Sequence, residues 1–266
     1  MKTIKITLLL FLCTFVMNAQ EAYKHSLSGI KKIKIITDTS IDLKIGKSNQ
    51  LVLNTAKGKN NHYEHIDSKK QKTRKDKAKG LKALYSNGND NTGQGLEITK
   101  VGNTLIVKDL LSFMKRSGFS IEIPKGIDVS LNSGNLGHVK VTGVTSEIEI
   151  KTNVGHINLK NITGPVTANT STGNISATFT SVNQSAPISL RTATGDVDVT
   201  LYRSTKASLE LKTTMGTVYT DFDFKVESSK GLKPVGNPRK ISTDLNNGGV
   251  KISLKSTTGN VYLRKK

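Results

Sequence analysis

From Gly29 onward, apolar and polar residues alternate in short runs separated by turn residues. Ile33-Lys-Ile-Ile, Ile41-Asp-Leu-Lys-Ile and Leu51-Val-Leu have strand character, with Thr37–Ser40 and Gly46–Asn49 as the breaks between them. The pattern stops between residues 56 and 95. That stretch is polar and rich in Lys, Asn and Gly, and it reads as an exposed insertion in which Leu81, Leu84 and Tyr85 predict a short helix. Alternation returns at Leu96-Glu-Ile, Leu105-Ile-Val, Phe119-Ser-Ile-Glu-Ile and Ile127-Asp-Val-Ser-Leu, with Pro124 and Gly126 marking a turn.

Beyond Leu131 the alternation becomes periodic. A Thr or Ser, two small or apolar residues, a Gly and a polar residue precede an alternating strand, six times over. The glycines are Gly137, Gly155, Gly173, Gly195, Gly216 and Gly259, spaced 18, 18, 22, 21 and 43 residues apart. Such a period predicts stacked structural repeats. Each period carries a second strand as well, such as Glu147-Ile-Glu-Ile or Pro187-Ile-Ser-Leu, so one coil is two strands and two corners. Side chains of a strand alternate between its faces. Val139, Ile157, Ile175, Val197, Val218 and Val261 therefore form one inward column. Ile148, Val166, Ile188, Leu209 and Ile252 form another. Val141, Leu159, Ala177, Val199 and Leu263 make a third, which Thr220 interrupts. The glycines are the expected corners, where a Cβ would obstruct the chain or φ turns positive. The preceding Thr is expected to bond turn backbone. The 43-residue step predicts a degenerate coil between the last two clean ones, with a loop insertion at 228–239 carrying Pro234 and Pro238. The fold class is all-β, a β-solenoid with about 18–22 residues per coil.

The first twenty residues stand apart. Met1–Lys5 is basic, Ile6–Val16 is apolar but too short to span a bilayer comfortably, and Met17–Gln20 suits processing. We read 1–20 as a secretory signal and 21–266 as a single domain, exported to the periplasm, the outer membrane or the outside. Cys13 lies inside the apolar run and leaves with the signal. The mature chain then holds no cysteine, so disulfides, thiol nucleophiles and Cys-zinc sites are excluded. Losing Lys2 and Lys5 lowers the Lys and Arg count from 40 to 38 against 20 acids, a net charge of +18. Such a field favours anionic partners, an envelope surface or an acidic polysaccharide.

Candidate chemistry is sparse. The segment holding Lys69, Lys70, Lys72, Arg74, Lys75, Lys77, Lys79 and Lys82 is a candidate contact for an anionic partner. No aromatic residue interleaves it before Tyr85, which argues against nucleic acid. His138 and His156 occupy one repeat position, continued by Asn174, Asp196, Thr217 and Asn260 as an outward polar column. Two imidazoles one coil apart suggest a metal, as does the cluster His62, Glu64, His65 and Asp67, but the variable column reads as surface. Asp196 and Asp198 follow Gly195 in one coil only, unlike a calcium-binding β-roll. The column Thr152, Thr170, Thr192 and Thr213 is interrupted by Lys151, Arg191 and Lys212, unlike an ice-binding face. Glu147 and Glu149 have no acids stacked above them, and the chain lacks Trp. No catalytic residue, metal site or cofactor is assigned.

The copies Thr170-Ser-Thr-Gly-Asn-Ile and Thr192-Ala-Thr-Gly-Asp-Val carry a resemblance. The chain resembles the putative-adhesin families of bacterial exported proteins (DUF4097 and DUF2807 type), over residues 28–55 and 96–263, with the Lys-rich insertion as a departure. The resemblance implies a single-stranded, right-handed parallel β-helix and supplies no catalytic residues. The functional expectation is a non-enzymatic cell-envelope scaffold that acts by display. The alternatives are a carbohydrate-active enzyme on the same scaffold and a basic anion-binding module. The C-terminal Arg264-Lys265-Lys266 is expected at one end of the stack, discouraging end-to-end association.

Overall fold

The computed structural model describes residues 22–55, 77, 79–111, 118–224 and 239–266. The described residues form twenty strands in two ten-stranded sheets. β1 (Tyr23–Ser26) precedes a first coil of β2 (Lys32–Ile36) and β3 (Ser40–Ile45), and β4 (Gln50–Thr55) then turns back. β5 (Leu96–Val101) and β6 (Thr104–Asp109) make a hairpin, and β6 forms a coil with β7 (Gly118–Ile123). Five strand pairs follow: β8 (Asp128–Asn132) with β9 (Val139–Thr142), β10 (Ile148–Val154) with β11 (Ile157–Ile162), β12 (Val166–Thr172) with β13 (Ile175–Phe179), β14 (Ile188–Thr194) with β15 (Val197–Leu201), and β16 (Ala207–Thr213) with β17 (Val218–Thr220). β18 (Arg239–Leu245), β19 (Val250–Ser256) and β20 (Val261–Lys265) complete the chain.

Each coil gives one strand to each sheet, and the sheets enclose one hydrophobic core between them. The expected columns align in register: Val139, Ile157, Ile175 and Val197 on one sheet, Ile148, Val166 and Ile188 on the other. All seven side chains are buried. Each such aliphatic contributes about 1.5–3 kcal/mol on leaving water. Val218 is only half-buried and Thr220 is exposed, so the column weakens where β17 ends its sheet.

The order of stacking differs from the order in the sequence. In one sheet the strands run β1-β4-β7-β3-β9-β11-β13-β15-β20-β17, and in the other β5-β6-β2-β8-β10-β12-β14-β19-β16-β18. Only the middle follows the chain. The final coil, β19 and β20, lies between β14–β15 and β16–β17: Ile188 pairs with Ile252, which pairs with Leu209. The expected degenerate coil between Gly216 and Gly259 is therefore wrong. The 43-residue step carries the chain out to β18 and back into a vacated place. The other end mirrors this, with β2 and β3 lying between β6–β7 and β8–β9. Coils present similar edges on both sides, so local pattern does not dictate which coil is a neighbour. Tyr202–Lys206, joining β15 to β16, needs to cross only two strand spacings, about 9.6 Å, an easy reach for five residues.

Among the described residues antiparallel strands close three of the four sheet edges, a departure from a wholly parallel helix, and β17 forms the fourth. β18 lies against β16, β5 against β6, β4 against β7 and β1 against β4. The sequence places the C-terminal basic residues at one end of the stack; they lie instead beside an interior coil, because β20 inserts between β15 and β17. Lys266 N–H donates to Leu201 O at 2.8 Å, and Arg203 N–H to Lys266 O at 3.1 Å, which ties the terminus to an interior coil. Residues 81–84 form no helix, and Leu81 and Leu84 are exposed. The end of the 56–95 insertion is ordered against β5. Asn91 exchanges two hydrogen bonds with Ile98, and Asp90 accepts the backbone N–H of Thr92, Gly93 and Gly95. Desolvation alone would raise the Asp90 carboxyl, but these bonds outweigh it and hold the group below its ordinary value.

Candidate functional site

Corners come first, because the repeat concentrates its polar residues there. Each corner Gly lies against the carbonyl oxygen of the adjacent coil's corner. A Cβ on Gly155 would collide with Gly137 O, on Gly173 with Gly155 O, on Gly195 with Gly173 O, on Gly259 with Gly195 O, and on Gly216 with Gly259 O. Gly137, at the first clean corner, approaches Thr39 O and Ser133. Only Gly173 and Gly195 of the six combine this with positive φ, 144° and 133°. Close approach is thus the common requirement, and backbone conformation a local addition.

The hydroxyl preceding each Gly serves the same junction. Thr152 Oγ1 donates to Gly137 O at 3.2 Å, Thr170 to Gly155 O at 3.1 Å, Thr192 to Gly173 O at 2.8 Å, Ser256 to Gly195 O at 2.7 Å and Thr213 to Gly259 O at 2.7 Å. Ser133 donates to Thr39 O at 2.8 Å. All six hydroxyl residues are buried, so the Thr column faces inward rather than presenting a flat surface to solvent or ice.

The residue after each Gly has an equally definite task, which sequence reasoning missed. His156 N–H donates to His138 Nδ1 at 3.0 Å, and Asn174 N–H to His156 Nδ1 at 2.9 Å. Asp196 N–H donates to Asn174 Oδ1, Asn260 N–H to Asp196 Oδ1, and Thr217 N–H to Asn260 Oδ1, at 2.7–2.9 Å. Ser40 Oγ begins the ladder by accepting His138 N–H at 3.2 Å. The column varies in identity but not in kind: each side chain that is followed by another coil places an acceptor two or three atoms from Cα. A signal was present in the sequence, since Ser, His, Asn and Asp share that feature.

This ladder also settles the histidine pair. The rings stack at 5.1 Å with 5° between planes, and both Nδ1 atoms are taken by backbone, leaving the Nε2 protons directed away from the ladder. Among the described residues no group of three His, Cys, Asp or Glu side chains could hold a metal ion. The histidines border an open cleft of about 540 Å³ lined also by Ser40, Asp42, Ser120, Lys140 and Asn158. Its charges are paired, Lys140 Nζ with Asp42 at 2.9 Å.

Three further acids, Asp198, Glu149 and Glu210, have local partners too. Asp198 holds Arg264 through both carboxylate oxygens at 2.8–3.1 Å. Glu149 accepts from Lys32 at 2.9 Å, and that bond keeps its carboxyl below the ordinary range. Glu210 receives Lys255 at 2.9 Å and Lys251 at 3.0 Å, and these bonds lower its pKa to about 2. Lys77, Lys79 and Lys82 of the basic segment are exposed. Lys69, Lys70, Lys72, Arg74 and Lys75 lie outside the described residues, as do the His62–Asp67 cluster and loop 228–238.

The family model for Toastrack DUF4097 matches residues 127–264, just over half the chain. Among solved structures, a putative cell adhesion protein from Clostridium sporogenes aligns with 92% of this chain and 100% of its own, at 9% identity and a TM-score of 0.41. A putative adhesin from Bacteroides fragilis aligns with 92% of this chain and 96% of its own, at 12% identity and a TM-score of 0.32. Neither superposition is close. No curated protein matches the chain.

Proposed function

The chain belongs to the Toastrack DUF4097 family, and from that premise we propose that it is an exported, non-enzymatic scaffold of the bacterial cell envelope that works by display. One observation carries the reading. The polar residues that define the repeat, the Thr or Ser, the Gly and the residue after it, all act on the backbone of the adjacent coil. A repeat so used builds a stiff column and leaves the strand faces, which differ from coil to coil, to meet a partner. The acids on those faces are held by Lys or Arg rather than converging on one point. The basic sequence and the apolar leader support export to a surface rich in anions.

Fractionation of the native host tests the localisation. The protein is expected in the envelope or medium, processed near residue 20 when its mass is measured; an unprocessed chain in the cytosol overturns export. Incubation with envelope polysaccharides tests the chemistry. Release of new reducing or unsaturated ends, abolished by heat, would replace the scaffold reading with the carbohydrate-active one.

A further inference from the structure

We infer that the outer face of the β5-to-β18 sheet binds an acidic polysaccharide along a single row of cations at its β18 end. The inference deepens the envelope reading by naming the surface and its partner. Lys151, Asn169, Arg191, Lys255, Lys212 and Lys240 occupy one register position across β10, β12, β14, β19, β16 and β18. The last four are cations on four successive strands. At a strand spacing of about 4.8 Å they extend over about 14 Å. The insertion of β19 between β14 and β16 sets the order of the row, bringing Lys255 between Arg191 and Lys212.

Like charges facing one another on neighbouring strands repel, so the row weakens the sheet it stands on. Glu210 offsets part of it by holding Lys251 and Lys255. Arg191, Lys212 and Lys240 form no ion pair with a described residue, and Asp244 is the other acid near this end. A line of four cations, three of them without an ion pair to a described residue, complements a linear polyanion better than a broad bilayer surface. Adjacent to the row, Thr167, Ser189 and Ser242 supply hydroxyls suited to sugar hydroxyl groups. The described strands of this face carry no aromatic side chain, whereas the stacked pair Tyr219 and Tyr262 lies on the other sheet. Nucleobases would lack a stacking platform here, and a uronate polymer needs none.

The test compares two triple variants of equal net charge by titration with polygalacturonate. Arg191→Gln/Lys212→Gln/Lys240→Gln removes the row; Lys24→Gln/Lys47→Gln/Lys125→Gln removes exposed lysines elsewhere. The row variant is expected to lose about tenfold or more in affinity, with a shallower dependence on salt, and the control less than about twofold. Absence of binding by the unsubstituted protein overturns the inference, as does an equal loss in both variants. Row-dependent binding that is tighter for anionic vesicles or single-stranded DNA overturns the choice of partner. Thermal melts verify folding, with the row variant expected to melt no lower than the parent. Should it unfold, Lys240→Gln alone, on the edge strand, carries the comparison. Binding is read with a defined polymer in solution, so its failure leaves the envelope reading standing, and a cytosolic location would not by itself disprove the row.

Discussion

The middle coils and the two ends are built from the same phrase but assembled under different rules. From β8 to β15 each coil lies on the one before it, and the corner contacts repeat with little change: hydroxyl to carbonyl, Gly against Gly, acceptor to N–H. At the ends the chain leaves this order. It sets an outer coil first and then returns, or departs and closes back, so that β2–β3 and β19–β20 become second-to-last layers. The contacts formed there are of the same kind, Ser256 on Gly195 and Thr213 on Gly259. Identical local chemistry therefore supports two connectivities. The C-terminal end also gains something the middle lacks, because a last segment held between two coils cannot fray outward as an outermost coil can.

Truncation is the most forceful way to break this comparison. Removing residues 249–266 is expected to abolish protection of β17 and sharply lower that of β16 in hydrogen exchange, since β17 loses β20 and β16 loses β19, keeping β18 alone. A solenoid stacked in chain order would keep those strands protected, losing only its last layer. The effect should amount to loss of cooperative folding in the C-terminal third.

Glycine substitution probes the same contrast more gently. Gly173→Ala, with positive φ and coils on both sides, is expected to cost about 3 kcal/mol in urea unfolding. Gly216→Ala, whose Cβ would meet Gly259 O, should cost about 1 kcal/mol, because β17 is the last described strand of its sheet and can shift. Equal costs would mean that the end is as rigid as the middle.

Acid titration separates an end contact from the rest. The folded Glu210 carboxyl, near 2, lies below its unfolded value, so its contribution is complete above about 4.5 and disappears as pH falls toward about 2. Glu210→Gln should lower stability by about 1 kcal/mol at pH 7, the lysines being largely solvated, and by almost nothing at pH 2. A pH-independent difference would mean that packing, not the ion pairs, is responsible.

The smallest expected effect concerns the post-glycine ladder of the middle coils. Asn174→His retains an acceptor and should change stability by less than about 0.5 kcal/mol, while Asn174→Leu strands the Asp196 N–H and should cost about 1 kcal/mol. Parity between the two would reduce the ladder to a crystallographic-style coincidence of geometry without energetic weight.

Much of the fold was legible because β alternation and the Gly-centred phrase are local patterns. Val139, Ile157, Ile175 and Val197 align as expected, and the Thr residues bond turn backbone as expected. The candidate surfaces were less legible. Lys151, Arg191 and Lys212 were visible as charges at one repeat position, yet Lys255 enters their row out of sequence and Lys240 arrives on an antiparallel strand outside the repeat. Strand β18 falls where the sequence predicts part of a degenerate coil; Lys240-Ile-Ser-Thr-Asp has only one strong apolar residue, and the strand pairs antiparallel with β16 instead.

The sequence by itself determined the coil: which residues point inward, where the chain turns, and which side chains bond the next layer. Those features depend on contacts a repeat makes with any other repeat, so a single copy suffices to specify them. Only the tertiary structure decided which copy lies beside which. Coil edges expose the same backbone groups and the same corner carbonyls, so hydrogen bonding is nearly indifferent to the choice. Connector reach, the antiparallel closing strands and the fit of the ends then select one order, and with it the sequence of cations along the row and the place of Lys240 in it.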